Sequence, residues 1–199
     1  YPAASKAYAQ AFANGPGTIS LLKLHRALTL AGDTKTADQR LTDWIKQHPQ
    51  DLAARNYSAE VFMLAGRNRD AIAQYEALLR ASPNNVVALN NLANLYQREK
   101  DGRALATAEQ ALKLAPESPG VQDTLGWILV AQGQLPRGLD LLGKAVAAAP
   151  QFPTIRYHYG VALARSGNKA QARKELQAAI AAGQNFPELE DAKAMLRSL

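Results

Sequence analysis

The chain has 199 residues, a formal net charge of +6, three histidines and no cysteine. The missing cysteine excludes disulfides, thiol catalysis and thiolate-ligated zinc, and no apolar run approaches the roughly 18 residues of a membrane-spanning helix. Lys and Arg are scattered singly, without the stripe and interleaved aromatics of a nucleic-acid surface, so the charge reads as a solvated outer face.

Aligned on itself, the chain repeats with a period of 34 residues. A period of that size marks stacked supersecondary units, each too small to bury a core alone. Residues 1–17 read as the second helix of a truncated unit, with Tyr8, Ala11 and Phe12 as its apolar stripe and Asn14-Gly15-Pro16-Gly17 as its end. Unit 18–51 carries the repeat signature at His25, Gly32, Ala37, Leu41 and Pro49, and unit 52–85 at Ala59, Gly66, Ala71, Tyr75 and Pro83. Unit 86–118, with Ala93, Ala104, Ala111 and Pro116, is one residue short, a loss expected in its inner turn. Unit 119–152 has Gly126, Gly133, Gly138, Leu142 and Pro150. Unit 153–186 has Gly160, Gly167, Ala172 and Leu176, with Gln184 in place of Pro. Residues 187–199 open a capping helix at Pro187.

Each unit reads helix–turn–helix. In 119–152, Pro119 suits a first helical turn, and Val121, Leu125, Ile128 and Leu129 follow at helical spacing. Gly133 closes that helix. Leu135, Leu139, Leu142, Ala145 and Val146 stripe the next one, and Pro150 and Pro153 break the chain. Leu24, Leu92, Leu125 and Tyr159 fall at seam positions and are expected in the core. No segment alternates with period two, so the fold class is all-α.

This spacing resembles the tetratricopeptide repeat (TPR) over nearly the whole chain. Gly126, Gly138, Ala145 and Pro150 fill that family's three small positions and its proline. The resemblance implies a right-handed superhelix, an α-solenoid of antiparallel helix pairs, with first helices lining a concave groove. His25, Trp44 and Leu78 depart from the small-residue pattern and are expected to loosen the first two units. A narrower likeness rests on Asn91-Leu92-Ala93-Asn94-Leu95-Tyr96, Asp123-Thr124-Leu125-Gly126-Trp127-Ile128-Leu129 and Ile155-Arg156-Tyr157-His158-Tyr159. These runs resemble the C-terminal repeats of TPR lipoproteins encoded with bacterial exopolysaccharide and PEP-CTERM/exosortase protein-sorting systems. That likeness implies a periplasmic protein, outer-membrane-anchored in its full form. A cysteine-free chain suits the cytoplasm equally. With Tyr1 in place of Met and no leader visible, the chain is expected to be an excised fragment or mature form.

Catalytic chemistry finds little support. Gly138-Leu139-Asp140-Leu141-Leu142-Gly143-Lys144 imitates a phosphate-binding loop, but Ala145 replaces the magnesium-holding hydroxyl and the segment lies within a helix. His25, His48 and His158 fall in different units without a second ligand nearby, so no metal site is expected. The acids Glu188, Glu190 and Asp191 suit a helix N-terminus. No enzyme activity, catalytic residue or cofactor is expected.

The groove positions implied by the TPR resemblance carry the functional expectation. They are Asn56 and Tyr57 in 52–85, Asn90, Asn91 and Asn94 in 86–118, Asp123 and Trp127 in 119–152, and Tyr157 and His158 in 153–186. Amides donate and accept, so a row of them suits the backbone of an extended peptide. Trp127 beside Asp123, Tyr157 and His158 suits an amphipathic anchor pocket. The chain therefore reads as a scaffold binding a protein or peptide segment, with an anionic polysaccharide or a purely architectural role as alternatives. Neither nucleic acid nor a transmembrane segment enters this reading.

Overall fold

The computed structural model describes residues 1–182 and 186–199; among them are 12 α-helices and no strand. Gln184, standing where the other units have Pro, lies outside the described residues. The chain divides into two compact units, 1–88 and 89–199, and each is an all-α helical repeat.

The first unit holds α1 (Pro2–Asn14), α2 (Thr18–Leu30), α3 (Thr34–Gln47), α4 (Leu52–Leu64) and α5 (Asn68–Ala81). Gly32 (φ 87°) and Gly66 (φ 72°) turn the chain between paired helices, a left-handed conformation that side chains resist. Leu21, Leu24, Leu41, Tyr75 and Leu78 are fully enclosed. The bulky departures from the small-residue pattern are packed in rather than loosened: Leu78 is 1% exposed and His25 2%. Trp44 donates its indole N–H to Asp51 Oδ2 at 2.7 Å. Asp51 also accepts from Thr18 (2.6 Å) and caps α4 through the Ala54 N–H (2.9 Å). Burial pushes its carboxyl upward, but these three donors, with the Ala53 backbone N–H, hold it below the ordinary value. The α1 stripe differs from expectation. Phe12 packs edge-on against Trp44 at 5.6 Å, whereas Tyr8 and Ala11 are exposed. Helix α1 packs chiefly on α2 and meets α3 through Phe12, so the rest of its surface stays exposed.

The second unit runs from α6 (Val86–Arg98), whose first three residues belong to the first unit, through α7 (Ala104–Leu114), α8 (Pro119–Ala131), α9 (Leu135–Ala148), α10 (Pro153–Arg165) and α11 (Lys169–Ala182) to α12 (Leu189–Ser198). Gly133 and Gly167 turn two of its pairs. The residue lost from unit 86–118 is taken from the second helix, not the inner turn. Here α7 has 11 residues against 14 in α9 and α11, and Asp101-Gly102-Arg103 forms a turn where a first helical turn would be. Arg103 binds Asp101 (2.8 Å) and holds its carboxyl at about 2. Lys100 takes the left-handed turn conformation (φ 56°) that glycine supplies elsewhere. Between α8 and α9, Gly126 and Gly138 let the backbones meet. A Cβ on Gly138 would lie 2.6 Å from Val130 Cγ2 and 2.9 Å from Gly126 O. Leu141 joins the α9 stripe, while Leu135 and Leu139 are only partly buried. Leu92 and Leu125 are core; Tyr159 is partly buried against Ala145, Val146 and Ile155. Helix α12 starts at Leu189, two residues beyond Pro187, and packs Met195 and Leu196 against Tyr157, Leu176 and Phe186.

Candidate functional site

Within each unit, first helices of consecutive repeats are joined by polar contacts about one period apart. In the second unit Asn94 Nδ2 donates to Thr124 Oγ1 (3.0 Å), linking α6 to α8. His158 Nδ1 lies 2.9 Å from Asp123 Oδ1 and 3.1 Å from Oδ2, linking α10 to α8. A carboxylate only accepts, so His158 carries its proton on Nδ1. Both residues are buried, at 9% and 8% exposure.

Trp127 and Tyr157 complete this cluster. The Trp127 indole stacks on the His158 ring, centroids 4.3 Å apart and planes 15° from parallel. Tyr157 lies tilted beside both, 6.2 Å from Trp127 and 5.8 Å from His158. Asp123 thus fixes the ring on which the indole rests. Trp127 is partly buried and borders two core clusters, yet among the described residues its indole N–H has no hydrogen-bond partner. Burial, then the nearby Asp191 and Glu188 carboxylates, raise the Tyr157 hydroxyl above its ordinary value. The site therefore presents a partly buried indole with an open donor resting on the His158 ring, while Tyr157 beside it is buried at 8% exposure.

The amides are differently placed. Asn56, in the first unit, donates to Glu60 Oε1 at 2.8 Å, and Asn94 is bound to Thr124 as above. Asn91 is also engaged. Asn90 Oδ1 is enclosed and unpartnered. Two of the four thus spend their nitrogens on neighbouring side chains.

Tyr57 belongs to a pocket in the first unit that sequence reasoning missed. A cavity of about 440 Å³ lies among α2, α3 and α4, walled by Val61, Phe62 and Leu64 and by a polar chain. Tyr57 OH lies 3.0 Å from His25 Nδ1, His25 Nε2 3.3 Å from Asp38 Oδ1, and Arg67 binds Asp38 Oδ2 at 2.7 Å. Burial outweighs Asp38 and lowers the His25 pKa, so neutral His25 accepts from Tyr57 and donates to Asp38. The signal was His25 itself, a polar residue at a small-residue position. Its partners lie 13 and 32 residues away, beyond any local motif.

Among the described residues no group of His, Asp and Glu is arranged to hold a metal ion, and no helix is long and apolar enough to cross a membrane.

Profiles described as tetratricopeptide repeat match residues 26–86, 62–119 and 129–196. A TPR repeat-containing protein of Pseudomonas aeruginosa is 35% identical over 117 residues, 55% of this chain and 19% of that protein. Cellulose synthase operon protein C of Pseudomonas fluorescens is 27% identical over 120 residues, 60% of this chain and 9% of its own length. The chain spans 19% or less of these curated relatives. Among solved structures, a tetratricopeptide repeat protein from Parabacteroides merdae matches with TM-score 0.80 at 14% identity, over 98% of this chain and 78% of that one. YrrB, described as a TPR protein with an unusual peptide-binding site, matches with TM-score 0.67 at 18% identity, over 98% and 100%. At such identities the likeness is one of fold. Repeats of this kind are scaffolds for protein–protein interaction and generally non-catalytic, and this chain belongs to the tetratricopeptide-repeat family.

Proposed function

We propose that the chain is a non-enzymatic scaffold that binds a peptide or protein segment on the face shared by α8 and α10, with Trp127 and Tyr157 as anchors. The contrast between the two tryptophans carries this reading. Trp44 gives its N–H to Asp51 at 2.7 Å, whereas the Trp127 N–H is unpaired among the described residues. A half-buried indole with an open donor suits a ligand, because aromatic anchors with one polar handle dominate binding surfaces. YrrB, of the same fold, is described as having a peptide-binding site.

The setting we propose is a bacterial exopolysaccharide or protein-sorting system, with the chain in the periplasm and its full-length form anchored to the outer membrane. The relative named cellulose synthase operon protein C supports that setting. Peptides tiled from proteins encoded beside its gene test the reading by calorimetry. Trp127→Ala should weaken the best binder by about 2 kcal/mol or more, roughly 30-fold, with the helical CD spectrum unchanged. Undiminished affinity would refute the anchor. The net charge of +6 and the aromatic cluster favour an anionic polysaccharide as second reading. Salt-sensitive binding to polyuronate, lost in Trp127→Ala, would select it.

A further inference from the structure

Three repeats place a hydrogen-bonding side chain at the same point of their first helix: Arg55 in α4, Gln122 in α8 and Arg156 in α10. Each reaches back to a proline carbonyl. Arg55 Nη2 donates to Pro49 O (3.3 Å), Gln122 Nε2 to Pro116 O (2.7 Å) and Arg156 Nε to Pro150 O (2.6 Å). The two arginines also donate to an acceptor 19 residues on, Gln74 Oε1 and Glu175 Oε2. The residue 19 after Gln122 is Leu141, which has nothing to offer. Gln122 is 5% exposed, and its Oε1 is enclosed without a partner. The Pro116 carbonyl fixes the amide's orientation, since only the nitrogen can face it.

Where the other two repeats hold a guanidinium, this one has a cleft of about 610 Å³ lined by Leu112, Pro116, Glu117, Gln122, Leu141 and Lys144. Its charge is suited to a cation. Glu117 stands where the other two repeats have Gln50 and Gln151, and it makes no hydrogen bond among the described residues. Lys144 binds Asp140 at 2.8 Å and also feels the Glu117 charge, so two carboxylates against one ammonium leave one negative charge in excess.

We infer that this cleft docks an arginine side chain of a partner polypeptide. The incoming guanidinium takes the place that Arg55 and Arg156 fill from within their own repeats. It pairs with Glu117 and shares the Pro116 carbonyl with the Gln122 amide. A planar fork of donors can serve several acceptors at once; a lysine ammonium is a poorer match. Neither Trp127 nor Tyr157 lines the cleft, so the site is independent of the function proposed above.

NMR titration of the full chain with the blocked peptide Ac-Ala-Arg-Ala-NH2 tests the inference, with the Lys and Gln analogues as controls. Saturable shifts are expected for amides of residues 112–122 and 141–148, with the Lys peptide at least fivefold weaker. Glu117→Gln should weaken the Arg peptide at least fivefold, and Trp127→Ala should leave it unchanged. The double variant Gln122→Arg/Leu141→Gln builds the internal device into this repeat and should exclude the peptide. Absent shifts, equal response to Lys and Arg, or full binding by Glu117→Gln would overturn the proposal. Should the double variant not fold, Glu117→Gln decides alone.

Discussion

The Trp127 indole lies on the His158 imidazole with ring centroids 4.3 Å apart, and His158 is itself held at 2.9 Å by Asp123. The anchor is therefore positioned through two neighbours, one on its own helix and one on the next repeat. Such support fixes the indole before a ligand arrives, which lowers the ordering cost of binding.

Removing the support should be visible without a ligand. Asp123→Ala leaves His158 Nδ1 without its acceptor in a buried position. A loss of about 1–3 kcal/mol in unfolding free energy is expected. In a Trp44→Phe background, Trp127 emission should shift to the red as the stack loosens. Unchanged emission together with unchanged stability would show that the pair does not hold the indole.

The first-unit pocket predicts a pH dependence of stability. His25 has a lowered pKa because its ring is desolvated among Tyr57, Asp38 and Arg67. The unfolded chain titrates near the ordinary histidine value of about 6.5. Above that pH both states are neutral and the contribution is complete. As pH falls below it, the unfolded state takes up the proton first, and stability declines until the folded value is passed. The slope contributed approaches about 1.4 kcal/mol per pH unit. Chemical denaturation between pH 7.5 and 5 should show a shallower decline in His25→Gln than in the parent; equal slopes would contradict the assignment.

Gly138→Ala should destabilise by about 1–3 kcal/mol through overpacking. Its Cβ meets Val130 Cγ2 at 2.6 Å and the Gly126 carbonyl at 2.9 Å. Adding Val130→Ala should recover only part of the loss, since the carbonyl remains. Gly160→Ala should cost less, because its nearest obstacle is the Leu176 side chain at 3.0 Å. Thermal melts of the three variants check the order.

Lys100→Gly should stabilise by about 0.5–1 kcal/mol, because the left-handed turn strains any residue with a Cβ. The gain should appear as a higher denaturation midpoint at constant slope. A destabilised variant would mean that the Lys100 side chain contributes more than its backbone costs.

The 34-residue period, read with the TPR resemblance, determined the helix pairs, their turns and the close approach of Gly126 to Gly138. Those features are local, or recur at fixed spacing, so apolar stripes and glycines record them. The juxtaposition of Asp123, Trp127, Tyr157 and His158 was also legible, because residues one period apart meet on adjacent repeats. The tertiary structure decided what each polar group spends itself on. Asn56 and Asn94 are occupied by Glu60 and Thr124, His25 is enclosed with Tyr57 and Asp38, and Gln122 keeps an unpartnered oxygen because Leu141 cannot answer it. Periodicity fixes which residues become neighbours; the direction of each donor depends on rotamers and on packing from several helices at once, and those are set only when the repeats assemble.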